Sequence, residues 1–145
     1  MKLGIGFMRY DLNRNNQEII DFAIEHNINY FETCYFYLNH QCEKFVYDLL
    51  SRYNRNDYEI CGKLSLNEGF QVSDLFYKNL YYEQLKKVPS HYFDYFLLQT
   101  LTPSSLYQIF YTDLYDFFQK EKEKGNIKAF GFTEQCDSSF LKIFL

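Results

Sequence analysis

Five polar side chains of this sequence stand where short apolar runs end. They are Glu32, Lys63, Gln99, Thr133 and Glu134. If the runs are parallel strands, their carboxyl ends share one edge of a sheet, which is where ligands meet α/β folds. A carboxylate, an ammonium and an amide would then meet at one rim. Because neighbouring strands lie about 4.8 Å apart, Glu32 and Lys63 could pair directly.

Each of these residues also has an ordinary structural explanation. Polar residues commonly end strands because a loop begins there. Glu32 and Lys63 could form a purely structural ion pair, and Gln99 could be an ordinary hydrogen-bonding residue. Tyr37 is one of 15 tyrosines, so it could simply be a core side chain. The residue types and their spacing leave these alternatives open.

The elements that must position these side chains alternate along the chain. Short apolar runs predict strands, and apolar residues at helical spacing predict helices. The predicted strands cover residues 3–8, 28–31, 58–61, 93–98 and 127–132. The predicted helices cover residues 15–26, 39–53, 72–88, 106–124 and 138–145. Asn27 could cap the first helix, and Gly125 with Asn126 would stop the fourth.

Five strands alternating with helices at steps of about 30 to 35 residues indicate βαβ units around a parallel sheet. The strands are continuous apolar runs, as burial on both faces of a parallel sheet requires. The fold class is therefore α/β. An open doubly wound sheet fits this pattern, and so does part of a (β/α)8 barrel. A complete barrel needs about 250 residues, so this chain could supply five of the eight units.

Composition limits the other possibilities. The chain has 145 residues, 47% of them hydrophobic, which argues for one folded domain over residues 1–145. The net charge of −4 argues against a nucleic-acid surface. The longest apolar runs are too short for a membrane span or a signal segment, so we expect no membrane association and a cytoplasmic location.

The chain has four cysteines, which form no Cys-x-x-Cys pair and match no zinc or iron–sulfur spacing. They are Cys34, Cys42, Cys61 and Cys136. We interpret them as reduced intracellular thiols, and we expect neither a metal nor an iron–sulfur cluster.

Several segments together resemble the aldo/keto reductase family. Residues 3–9, LGIGFMR, are similar to the family's first strand, LGxGxMR, and residues 29–37, NYFETCYFY, are similar to the family's NYFDTAxxY. Residues 60–64, ICGKL, resemble the strand that carries the catalytic lysine. Residues 92–99, YFDYFLLQ, resemble YxDYYLLH, and residues 124–133, KGNIKAFGFT, resemble GKIRxIGFS. Glu43 stands where the family has the glutamate of a Ser-Glu pair. The matches come in order and cover essentially the whole chain.

The resemblance implies a reaction and a role for each residue. It places Tyr37 at the general-acid position, Lys63 at the neighbouring lysine, Glu32 at the aspartate position and Gln99 at the histidine position. An ammonium beside a phenol stabilises the phenolate that remains after proton transfer. The resemblance also implies NADP(H) or NAD(H), a small carbonyl substrate, and Thr133 and Glu134 near the nicotinamide.

Two positions depart from the family pattern. Glu32 is one methylene longer than aspartate, and a misplacement of about 1 Å can cost roughly 100-fold in rate. Gln99 can hydrogen-bond a carbonyl but cannot relay a proton as histidine does. These changes favour relaxed or altered chemistry.

The resemblance covers only the N-terminal portion of a barrel, so we expect an incomplete, truncated domain. Such a sheet would have open edges at its first and fifth strands. An open twisted sheet, association with another chain through those edges and a poorly stable remnant are the three expected outcomes. The functional hypotheses are a carbonyl reductase, a non-catalytic remnant or interaction module of the reductase fold, and an unrelated α/β binding domain.

Overall fold

A computed structural model describes residues 3–13, 16–66, 73–103, 105, 109, 112–134, 139 and 142. Its strands are β1 (Gly4–Gly6), β2 (Tyr30–Glu32), β3 (Glu59–Ser65), β4 (Phe93–Leu101) and β5 (Ile127–Glu134). Its helices are α1 (Gln17–Glu25), α2 (Cys42–Leu50), α3 (Asp74–Lys87) and α4 (Leu114–Glu123). None of the helices in this part of the chain is long and apolar enough to cross a membrane.

The five strands form one parallel sheet in the order β1-β2-β3-β4-β5. A doubly wound sheet reverses its strand order at a switch point, whereas consecutive right-handed crossovers put every helix on the same face, as in a barrel. The predicted α/β class with five β/α units is confirmed, and the strand order favours the barrel over the doubly wound alternative. Strands β1 and β5 are the two edges of the sheet.

One face of the sheet packs against the helices. Successive strand residues point to opposite faces, and parallel partners in register point to the same face. The helix-facing strand side chains and the apolar faces of all four helices form one buried cluster. Its largest members include Phe31, Ile60, Leu64, Phe96, Ile20, Leu50, Tyr81 and Phe118. This cluster fixes the strands, and through them the side chains on the opposite face.

We call the opposite face of the sheet the inner face. It carries Glu32 on β2, Lys63 on β3, and Tyr95, Leu97 and Gln99 on β4, because these positions alternate with the buried ones along each strand. Near β1 this face opens into a groove of about 470 Å³. The groove is lined by Leu3, Gly4, Ile5, Gly6, Tyr30, Glu32 and Tyr95.

Three strands are longer than predicted. The predictions ended β3 at residue 61, β4 at residue 98 and β5 at residue 132, but the strands continue to Ser65, Leu101 and Glu134. Lys63, Gln99, Thr133 and Glu134 therefore lie within strands rather than after them. The physical reason is that a parallel ladder needs only backbone partners. It continues through Lys63, which is in register with Leu97, although the inward side chains become polar.

The second helix is shorter than predicted. It begins at Cys42 rather than at residue 39, because Leu38, Asn39 and His40 all have a positive φ, of 53°, 53° and 66°. Residues in the left-handed region cannot continue a right-handed helix. The loop after β2 is thus longer than the apolar pattern suggested.

The helix predicted over residues 106–124 is interrupted. Pro103, Ser105 and Ile109 are helical, but Thr112 and Asp113 form a bend before α4 begins. The Asp113 carboxylate accepts hydrogen bonds from the Lys78 ammonium at 2.6 and 2.7 Å, which ties this bend to α3. The local apolar pattern carries no information on such a cross-helix contact.

The predicted helix ends largely agree with the structure. Asn27 follows α1 with a φ of 59°, and Gly125 follows α4 with a φ of 81°, the left-handed backbone that glycine adopts without strain. The Ser73 hydroxyl oxygen accepts the Phe76 N–H at the start of α3. Residues 15 and 72, where two helices were predicted to begin, lie outside the described residues. Of the last predicted helix only Ser139 and Lys142 are described, and both are helical.

Candidate active site

The Lys63 ammonium is the centre of a polar cluster on the inner face. Its Nζ donates to Glu32 Oε1 at 2.5 Å and to the Tyr37 hydroxyl oxygen at 2.8 Å. Only 5% of the Lys63 side chain is exposed, whereas 28% of the Glu32 side chain is. Both contacts are charge-assisted, so they are stronger than hydrogen bonds between neutral groups.

The charge of Lys63 is maintained by its partners. Burial alone would lower the pKa of the Lys63 ammonium, but the hydrogen bonds to Glu32 and Tyr37 outweigh it and the pKa is raised. Lys63 is therefore protonated at neutral pH, and a cation lies directly against the Tyr37 oxygen.

Gln99 completes the cluster from the neighbouring strand β4. Its Nε2 donates to the Tyr37 hydroxyl oxygen at 3.3 Å, and its Oε1 accepts from the Cys34 thiol at 3.0 Å. The Tyr37 oxygen thus receives two hydrogen bonds, one from Lys63 and one from Gln99. Its own hydrogen is not needed for either contact.

Two groups hold Lys63 from the side of the buried cluster. Gln84 of α3 is fully buried, and its Nε2 donates to the Lys63 carbonyl oxygen at 3.1 Å. Gly62 precedes Lys63, and a Cβ at that position would come within 2.6 Å of the Phe93 ring. A larger residue would push this part of β3 away from β4, so glycine permits the close approach that places Lys63.

The loop after β2 presents Tyr37. The Thr33 N–H donates to the Cys61 carbonyl at 2.8 Å, which extends the β2–β3 pairing beyond the last paired residue of β2. A turn follows, in which the Tyr37 N–H donates to the Cys34 carbonyl at 3.1 Å. This turn brings the phenol back over the inner face, where it meets Lys63.

A bulge at the end of β4 joins the cluster to β5. Leu98 is in register with Phe132 and Leu101 with Glu134, so the two residues Gln99 and Thr100 of β4 lie opposite the single residue Thr133 of β5. The extra residue allows Thr100 to take a φ of 61°. Its N–H donates to Thr133 Oγ1 at 3.0 Å.

The structure brings four of the six predicted site residues into one hydrogen-bonded cluster. These four are Glu32, Tyr37, Lys63 and Gln99. Thr133 and Glu134 lie at the same end of the sheet on β5, where Thr133 bonds to the Thr100 backbone and Glu134 is in register with Leu101.

Two residues of the site were missed. The sequence predicts Cys34 only as a reduced thiol, and its motifs do not single out Gln84. Gln84 stands among the apolar positions of α3, between Tyr81 and Leu85, and a polar residue on an otherwise buried helix face is a signal that could have identified it. Nothing in the sequence pattern joins Cys34 to Gln99, which lies 65 residues away.

A comparison with models of protein families matches residues 2–138 to the aldo/keto reductase family. The chain belongs to the aldo/keto reductase family. It corresponds to the N-terminal portion of the family's fold. A comparison with the sequences of curated proteins finds no match.

Solved aldo/keto reductases share the fold of this chain. An aldo-keto reductase from Bacillus halodurans in its holo form has a TM-score of 0.77 and 22% identity, and the match covers 99% of this chain and 49% of that one. An aldo/keto reductase from Brucella melitensis has a TM-score of 0.71 and 20% identity, and the match covers 98% of this chain and 52% of that one. An aldo-keto reductase from Klebsiella pneumoniae in complex with NADPH has a TM-score of 0.72 and 17% identity, and the match covers 97% of this chain and 47% of that one. The chain spans about half the length of these reductases.

The histidine, cysteine and acidic residues that the structure describes show no arrangement for metal binding. In the part of the chain that the structure describes, no group of three or more His, Cys, Asp or Glu side chains could hold a metal ion. Cys34, Cys42 and Cys61 are free, buried thiols. Cys136 lies outside the described residues.

Proposed function

We propose that this chain forms the proton-donating site of a carbonyl reductase that depends on NADP(H) or NAD(H). The observation that carries the proposal is the contact of the Lys63 ammonium with the Tyr37 hydroxyl oxygen at 2.8 Å. A phenol in contact with a buried cation is a suitable general acid, because the cation stabilises the phenolate that proton transfer leaves behind.

Each residue of the cluster has a separate role in this proposal. Tyr37 gives its proton to the carbonyl oxygen of a small aldehyde or ketone. Lys63 stabilises the resulting phenolate, and Glu32 keeps Lys63 charged and oriented through their contact at 2.5 Å. Gln99 donates to the phenol oxygen and so holds the ring, but unlike a histidine it does not titrate.

The nicotinamide cofactor supplies hydride to the carbonyl carbon when it is bound. The described residues fit its nicotinamide end. Gly6 on β1 and Gly131 on β5 place no side chain on the inner face. Thr133 Oγ1 accepts from the Thr100 N–H, which leaves the Thr133 hydroxyl hydrogen to donate to a carboxamide oxygen. We assign Thr133 and Glu134 to this end of the cofactor.

The test is cofactor binding followed by turnover. Purified chain is titrated with NADPH and with NADH, and binding is followed by fluorescence; a panel of small aldehydes and ketones is then added and cofactor oxidation is measured. The proposal expects saturable binding below millimolar cofactor and oxidation that depends on the carbonyl compound. Absence of saturable binding at millimolar cofactor would overturn it for this chain.

A second candidate is a non-catalytic interaction module of the reductase fold. It is favoured by the edge strands β1 and β5 and by the groove on the inner face. Unpaired strand edges are templates for pairing with another chain. Analytical ultracentrifugation with a thermal melt tests this candidate: association with a cooperative melt supports it, and a sharply melting monomer contradicts it.

A further inference from the structure

We propose that Cys34 is a positioning residue, whose thiol holds the Gln99 amide so that its NH2 group, and not its carbonyl oxygen, faces Tyr37. The inference rests on the proposed function, in which Tyr37 gives its proton to the substrate. It assigns to Cys34 a role in choosing between two orientations of one side chain.

The two ends of the Gln99 amide have different partners. Oε1 accepts from Cys34 Sγ at 3.0 Å, and Nε2 donates to the Tyr37 hydroxyl oxygen at 3.3 Å. Rotation of the amide by half a turn would exchange these ends at almost no change in shape. The orientation is therefore decided by which partner can only donate and which can accept.

The chemistry of the Cys34 thiol decides which end of the Gln99 amide faces it. Only 1% of Cys34 is exposed, and burial raises the pKa of this thiol to about 11. At neutral pH it is therefore S–H, a donor, and it favours the carbonyl end of the amide. The phenol cannot decide the orientation, because its hydroxyl group can both donate and accept.

The orientation matters for proton transfer. With the NH2 group facing Tyr37, both Gln99 and Lys63 donate to the phenol oxygen, and the phenolic hydrogen is left for the substrate. With the amide reversed, the carbonyl oxygen would accept that hydrogen and hold it away from the substrate. The thiol therefore keeps the general acid ready to donate.

Positions 34 and 99 both depart from the family motifs that the sequence resembles. Cys34 stands at the alanine of NYFDTAxxY, and Gln99 stands at the histidine of YxDYYLLH. The two departures are in direct contact, although 65 residues separate them in the chain. An amide has two chemically different ends to orient, and a neighbouring alanine offers no donor for that purpose.

The contact can be tested without turnover. The S–H stretching band of Cys34 is identified by infrared spectroscopy as the band lost in Cys34→Ser. Because a hydrogen bond lowers the stretching frequency of its donor, the Cys34 band should move to higher frequency in Gln99→Leu. An unchanged band in folded Gln99→Leu would overturn the proposal, since the thiol would then not be donating to the amide.

Turnover tests the positioning role. Cys34→Ala should lower kcat for carbonyl reduction about fivefold, the effect of one ordinary hydrogen bond, with the KM for the cofactor unchanged. Cys34→Ser keeps a donor and should restore kcat. Cys42→Ala removes another buried thiol and should leave kcat as it is. A serine variant no better than the alanine variant, or an alanine variant with full kcat, would contradict the role.

If the unmodified chain has no turnover, the proposed function fails, and the infrared shift still decides whether Cys34 orients Gln99.

Discussion

Lys63 Nζ lies 2.8 Å from the Tyr37 hydroxyl oxygen, although 26 positions separate the two residues in the chain. Lys63 is held in β3 by its register with Leu97, and Tyr37 is held in a turn by its hydrogen bond to the Cys34 carbonyl. Both supports are backbone interactions of elements that the buried cluster fixes. The fold therefore holds both backbones in the positions that this contact needs.

Glu43 is the first test of how burial controls charge near this site. It is 1% exposed, and burial raises the pKa of its carboxyl group, an effect that the Lys87 ammonium at 3.3 Å only partly offsets. In the described part of the chain, Glu43 Oε1 and Gln84 Oε1 are both buried without a hydrogen-bond partner. Glu43→Gln should raise the free energy of unfolding at pH 7 by about 1 kcal/mol, because it removes a buried charge.

The raised pKa of Glu43 also predicts how the stability gained in Glu43→Gln changes with pH. A carboxyl group with a raised pKa in the folded state contributes stability below its unfolded pKa of about 4.3 and loses it as pH rises through the folded pKa. The advantage of Glu43→Gln, measured by urea unfolding, should therefore grow from about pH 4 to about pH 7. Lys87→Met is the matched control and should destabilise the protein at pH 7, since it leaves Glu43 uncompensated. Equal stability of the parent and Glu43→Gln at all pH values would contradict the account.

Local patterns were sufficient for the order of the elements and for the grouping of three site residues. Apolar runs and helical spacing identified all five strands, and because parallel strands share one carboxyl edge, Glu32, Lys63 and Gln99 could be placed together. Tyr37 could not be placed in this way, because it lies in a turn rather than on a strand. Only its resemblance to a family motif singled it out from the other tyrosines.

Contacts between distant parts of the chain could not be predicted. The left-handed backbone at Leu38, Asn39 and His40, which delays the start of α2, is not encoded by any glycine. The ends of β3 and β4 depend on backbone pairing that continues beyond the apolar run. The contact of Cys34 with Gln99 needs the turn after β2 and the end of β4 to be in place at once.

Thr100 carries local strain beside the site. It is a β-branched residue with a φ of 61° at the bulge that follows Gln99. A residue of this kind in the left-handed region costs about 1 to 3 kcal/mol, and glycine avoids that cost. Thr100→Gly should raise the free energy of unfolding by about 1 kcal/mol after the extra entropy of glycine in the unfolded chain is counted. Thr100→Ala keeps a Cβ, so its free energy of unfolding should rise by less than that of Thr100→Gly. Loss of stability in Thr100→Gly, measured by chemical unfolding, would show that the bulge is not strained.

Asp94 should control stability in acid. It is almost fully buried and accepts from Arg55 at 2.6 Å, from Lys128 at 2.7 Å and from the Ile60 N–H at 2.9 Å. Burial alone would raise the pKa of this carboxyl group, but these donors outweigh it and the pKa is lowered. Its contribution to stability is therefore present above the unfolded pKa of about 3.9 and is lost as pH falls through the folded pKa.

Substitution of Asp94 measures that contribution. Asp94→Asn should lower the free energy of unfolding at pH 7 by about 3 kcal/mol, because it leaves the Arg55 side chain, which is only 11% exposed, without its counter-charge. The loss should shrink below about pH 4. Asp48→Asn is the control, since Asp48 and Lys44 form an exposed pair whose loss should cost less than about 1 kcal/mol. Similar losses in the two variants at pH 7 would contradict the account.

The proton-donating role of Tyr37 is tested most directly by comparing Tyr37→Phe with Tyr35→Phe in NADPH-dependent reduction of an aldehyde. Tyr35 lies two residues away in the same loop, so both variants lose one hydroxyl group from one turn. Tyr37→Phe should lower kcat by about 100-fold or more with cofactor binding intact, and Tyr35→Phe should keep the parent kcat. A Tyr37→Phe variant that reduces the aldehyde as fast as the parent would contradict the account.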